Sequence, residues 1–146
     1  MGLSEIYTNG KQKQNRGHFA NIVKIAKADD KITEEEYLFL NCMAKSLNLS
    51  VLSFCRILEN PESFPINPPT NFEERIARLR NLTHMILADG DVTDKQVKLL
   101  NKIAVGLGFS SKNVTKVCQR ALELAIARTD LDTFIKEVSK VNRARD

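Results

Sequence analysis

Apolar residues recur three and four positions apart along most of this chain, the spacing of a buried helix face. Phe19, Ile22, Val23 and Ala26 form one stripe, and Phe72, Ile76, Leu79 and Ile86 form another with Thr83 in register. Val114, Val117, Cys118, Ala121, Leu122 and Ala125 give the cleanest pattern, followed by Leu131, Phe134, Ile135 and Val138. No segment alternates in the strand manner, so the pattern predicts an all-α protein. All four prolines (Pro61, Pro65, Pro68 and Pro69) fall in one stretch, which reads as an extended connector over 59–70 with Phe64 and Ile66 tucked onto the core. Start signals sharpen the count. Thr33 with Glu36, Thr70 with Glu73, and Thr93 with Gln96 each spell a capping box, Thr129 with Asp132 a weaker one, and Ser50 and Ser110 can each cap a helix. Gly90 and Gly108 stand where a left-handed residue would end one. The expected helices run near 15–29, 34–47, 51–58, 72–89, 94–107, 112–127 and 131–142, with a short turn at 3–8.

The chain also repeats itself. At an offset of 60, residues 22–50 lie over 82–110 without a gap. Ala28-Asp29 meets Ala88-Asp89, Thr33 meets Thr93, and Leu40-Asn41 meets Leu100-Asn101. In both copies an apolar residue (Ile32, Val92) precedes the capping Thr and another (Tyr37, Val97) follows it, a hydrophobic staple laid over a capping box. The expectation is one domain over 1–146: a bundle of about seven helices from a duplicated helical unit, halves near 15–58 and 72–118, and a last helix at 131–142. Two repeats are too few for a solenoid, so they should pack about a pseudo-twofold axis. The helices at 34–47 and 94–107 are apolar on more than one side and are expected at the centre, surrounded by the others.

Composition adds limits. A length of 146 residues, 42% hydrophobic and 27% charged, fits one ordinary globular domain. No apolar run approaches a membrane span, and the N-terminus lacks the layout of a secretory signal. Three cysteines without close pairs argue for a reducing compartment, so the expected location is cytoplasmic. The net charge of +4 gathers in two basic clusters, one within the first 31 residues and one at Lys136, Lys140, Arg143 and Arg145. Without Trp or interleaved aromatics, these read as solvated helix faces, and no nucleic-acid partner is expected. Peripheral membrane contact and a homodimer stay open.

Candidate chemistry centres on acids. Asp29 and Asp89 come near helix C-termini, where the dipole disfavours an anion, so something must offset them. Asp30, Glu34, Glu35 and Glu36 lie close to the first, Asp91 and Asp94 to the second. Such oxygen clusters suit Ca2+ or Mg2+, although the spacing is not that of an EF-hand. The other reading is that both aspartates accept backbone bonds within their turns while the remaining acids decorate helix N-termini. His18 and His84 have no ligand-spaced partner and read as surface or helix-end imidazoles; Cys42, Cys55 and Cys118 read as small core residues. The matched Asn41 and Asn101 suggest an amide satisfying a backbone group across the central helices, with solvent exposure the other reading. No nucleophile elbow, phosphate loop or dinucleotide fingerprint occurs, so no enzyme is expected.

The run Leu-Ala-Asp-Gly-Asp-Val-Thr-Asp at 87–94, then Gly-Leu-Gly-Phe-Ser at 106–110, resembles the TerB-like tellurite-resistance family. It is also similar to the N-terminal domain of DjlA-type membrane co-chaperones. The resemblance spans about residues 15–140, and Gly17-His18-Phe19-Ala20 with the Pro-rich connector fits a subgroup of small stand-alone bacterial members. It implies an all-helical bundle with two central helices, acidic clusters proposed to bind metal, and no established enzymatic activity. The motif carries over directly to Asp89, Asp91 and Asp94, and less directly to Asp29 and Glu34, where Asp30-Lys31 replaces Gly-Asp. A His-Pro-Asp tripeptide is absent, so the co-chaperone role does not carry over. The expected function is a non-enzymatic module in stress response, tellurite resistance or metal-ion homeostasis, holding a divalent cation at the acidic turns. The alternative is a protein–protein interaction scaffold without a metal site, and either reading implies a protein partner.

Overall fold

The computed structural model describes residues 3–88 and 90–144. Among them the chain forms seven α-helices and no strand: α1 (Leu3–Ala26), α2 (Glu34–Ser46), α3 (Val51–Glu59), α4 (Phe72–Leu87), α5 (Asp94–Gly106), α6 (Val114–Ile126) and α7 (Leu131–Arg143). A short 3-10 turn, Pro61–Ser63, opens the connector. The all-α bundle of seven helices read from periodicity is the observed architecture.

Two helices do lie at the centre, but they are α1 and α4 rather than α2 and α5. Phe19, Ala20, Ile22, Val23 and Ile25 of α1 are sealed from solvent, as are Ile76, Leu79, Leu82, Met85 and Ile86 of α4. In α2 only Glu36, Leu40 and Ala44 are buried, while Tyr37 and Leu38 face outward. The apolar residues that made α2 look central therefore cover a surface. α2, α3 and α5 pack on α1, and α6 and α7 close over α4.

α1 departs furthest from expectation. It is one helix where the pattern suggested a turn at 3–8 and a helix from 15. Residues 8–16 are almost wholly polar and carry no apolar period, yet nothing in them, Gly10 included, stops a helix.

The capping boxes of Thr33 and Thr93 form in full, with Glu36 and Gln96 reaching back to the cap backbone. Ser50 caps α3 by accepting from Ser53 N–H. Elsewhere the cap moves by one residue or more. Asn71, not Thr70, accepts from Glu73 and Glu74, and Asp130, not Thr129, accepts from Thr133. Ser110 does not cap α6, which begins three residues later after Asn113. The Ser110 N–H instead donates to Asn142 Oδ1, and the Asn113 amide donates to Asn142 and Ala144 carbonyls, tying down the end of α7.

The backbone repeats more faithfully than the side chains do. Asp30 and Gly90 both take positive φ, as do Asn48 and Gly108. Leu49 N–H donates to Ala44 O, and Phe109 N–H to Ala104 O, so both second helices end in the same wrapped turn. Asp and Asn tolerate the left-handed region better than other side chains, which lets the first copy keep the turn without glycine. Phe64 and Ile66 pack on the core as expected, and the connector crosses α1 at Gly17. No helix among the described residues is long and apolar enough to cross a membrane.

Candidate functional site

Asp29 lies in the turn after α1, and its carboxylate accepts the Thr93 hydroxyl of the other repeat, at 3.1 Å to Oδ1 and 2.9 Å to Oδ2. The same hydroxyl accepts from Gln96 N–H. Asp29 thus braces the cap of α5, a cross-repeat bond that neither the backbone-acceptor reading nor the cation reading foresaw. Beneath it the two capping boxes meet. Gln96 Nε2 donates to Glu36 Oε2 at 3.5 Å, and both side chains are 2% exposed. The two residues are sixty positions apart, the offset of the sequence repeat.

Glu34 and Asp94 open α2 and α5, where a carboxylate complements the helix dipole. Both are exposed, as is Asp91. Asp89 lies outside the described residues. Among the described residues no three His, Cys, Asp or Glu side chains gather as a metal-holding group. Calcium takes about six to eight oxygen ligands. Glu34 and Asp94 stand at helix starts, and Asp29 and Glu36 make contacts across the repeat instead.

A second polar cluster, which sequence reasoning missed, sits where α1 meets α4. His18 is 4% exposed, not at the surface as expected, and Asn81 Nδ2 lies 3.0 Å from its Nε2. Burial, aided by the Arg78 charge, holds the imidazole pKa down at about 3, so the ring is neutral. Arg78 is 8% exposed, and Arg78 Nη1 donates to Gln14 O at 3.4 Å. Asn21, 1% exposed, accepts from Lys24. A cleft of about 420 Å3 opens over this cluster, bordered by Lys11 and Asn15 of α1, Asn48 after α2, and Glu74 of α4. Carrying the offset of 60 a few residues upstream of 22 sets Asn21 over Asn81 and His18 over Arg78. Two matched asparagines inside apolar helical stripes were the available signal.

Other candidates separate by burial. Cys118 is buried and its thiol is pushed up to about 12 by desolvation, which leaves no nucleophile there. Cys42 and Cys55 are exposed, contrary to the core reading. His84 is half-buried, and burial, then the Arg80 charge, lowers its pKa. Neither asparagine of the Asn41/Asn101 pair bridges helices. Asn41 donates to Tyr37 O of its own helix, and Asn101 Oδ1 is buried with no partner. On α6 and α7 the charges pair locally, Glu137 with Lys140 and Arg120.

No known protein family, no curated protein and no solved structure matches the chain.

Proposed function

We propose that this chain is a non-enzymatic interaction module of the TerB-like kind, whose acid-rich turns join its two repeats rather than hold a cation. The observation carrying this reading is the Asp29 carboxylate on the Thr93 hydroxyl, which also accepts from the N–H of Gln96, whose side chain meets Glu36. An aspartate already serving as acceptor for a cap, with its neighbours spent at helix N-termini, has a structural task that needs no metal. The partner is a protein. Leu38 on α2 and Val51 and Leu52 on α3 are large apolar side chains at least 60% exposed, and they are the surface we assign to that partner. The cellular setting that the TerB-like resemblance suggests is stress response or metal-ion homeostasis in the cytoplasm.

Titration calorimetry with calcium and with magnesium tests this reading. The expected result is no saturable heat, with equal melting midpoints in cation and in chelator. Saturable binding that Asp29→Asn or Asp91→Asn weakens would restore the cation-binding function.

A further inference from the structure

The cleft between α1 and α4 holds a buried charge whose nearest counter-charge, Glu74, acts on it without forming an ion pair. Arg78 is more than nine-tenths buried, yet among the described residues it forms no ion pair, and its one hydrogen bond is the long one to Gln14 O. A guanidinium withdrawn from water is costly unless a carboxylate or phosphate meets its donors. The helix packing nevertheless holds Arg78 there, in the wall of an open cleft of about 420 Å3. The second unsatisfied group in that wall is His18, whose Nδ1 is buried with no partner. Its Nε2 is taken by the Asn81 amide. Lys11 adds positive charge at the border, and the amides of Asn15 and Asn81 are already committed to Leu47 O and His18.

We propose that this cleft is a binding site for an oxyanion, a carboxylate or phosphate group on a small molecule, with Arg78 as its charge partner beside the buried His18 ring. The rival occupant is internal. Glu74 lies one turn before Arg78 on α4, borders the same cleft, and is exposed without an ion pair to Arg78. A ligand oxyanion would displace water from the guanidinium and move Glu74 outward. The site is independent of the interaction reading, since it uses neither the acidic turns nor the outer faces of α2 and α3.

The test is thermal melting and amide-detected NMR on the full chain, with inorganic phosphate and with acetate, each against chloride at matched ionic strength. At saturation, phosphate or acetate is expected to raise the wild-type midpoint by about 4 °C. The rise should vanish in Arg78→Met, and Glu74→Gln should tighten binding severalfold. Response to acetate alone, or to phosphate alone, identifies which oxyanion the site takes. Should Arg78→Met fail to fold, the wild-type NMR titration decides, with saturable shifts expected at the Asn81 side-chain amide and the His18 ring. The proposal is overturned by a midpoint insensitive to both anions, by an equal rise in Arg78→Met, or by shifts confined to surface lysines. It is also overturned if Glu74→Gln lowers stability and neither anion binds, since Glu74 is then the counter-ion.

Discussion

Glu36 and Gln96 occupy the same position of two repeats, and they touch, the amide of one donating to the carboxylate of the other inside the protein. Identical residues would not serve. Two glutamates there would set like charges together out of water, and only one of the pair can remain ionised at low cost. The duplicated unit has therefore diverged at the point where its copies meet, keeping the cap in both and the charge in one.

Gln96→Glu should accordingly destabilise the fold by about 2–4 kcal/mol at neutral pH. One carboxyl of the pair would take a raised pKa, so the loss should shrink as the pH falls through it. Denaturant melts at two pH values check this. Equal loss at both would mean that packing, not charge, carries the penalty.

The connector makes a steric claim at Gly17. A Cβ there would come within 2.7 Å of Pro65 O, and a backbone oxygen cannot swing aside. Gly17→Ala should cost about 1–3 kcal/mol despite the better helix propensity of alanine. Gly10→Ala in the same helix meets nothing within 4 Å and should be neutral or mildly stabilising. Melts of the two variants should move in opposite directions or differ by that margin.

Burial of His18 makes stability depend on pH with a definite sign. The folded ring titrates at about 3, against 6.5 for an ordinary imidazole. Below 6.5 the unfolded chain binds a proton that the folded chain refuses. Stability is thus complete above that value and falls as the pH drops toward 3, by about 1.4 kcal/mol per unit. His84, also lowered by burial, adds loss of the same sign. Between pH 6.5 and about 5, where carboxylates stay ionised, His18→Gln should flatten the slope more than His84→Gln does. Identical slopes for wild type and His18→Gln would contradict the buried neutral ring.

Helix number, the repeat and the two boxes at Thr33 and Thr93 were legible because each rests on local chemistry: period, cap and staple. What was not legible depended on neighbours. Thr70 and Asn71 are adjacent residues that can both cap, and which one turns inward is decided by how the connector approaches α4. Tyr37 and Leu38 look like core by hydropathy, but α1 and α4, not α2 and α5, fill the centre. The acids at 29–36 and 91–94 stood out in the sequence as a cluster suited to a cation, while the use of Asp29 across the repeat needed the Thr93 hydroxyl to be seen beside it. Arg78 and His18 were hidden for the opposite reason. A charged residue and an imidazole in a helical stripe read as surface until the cleft shows that they are buried.

The central claim, that the acidic turns are joints of the fold, is tested most directly by a double-mutant cycle on Asp29 and Thr93, measured in chelator. Asp29→Ala, Thr93→Val and the pair together isolate the bond between them from the cap that each variant also disturbs. The account predicts a coupling of about 0.5–1 kcal/mol for this exposed, charge-assisted bond, unchanged when calcium replaces chelator. Coupling that is absent in chelator and appears only with calcium would contradict it, and would make Asp29 a ligand.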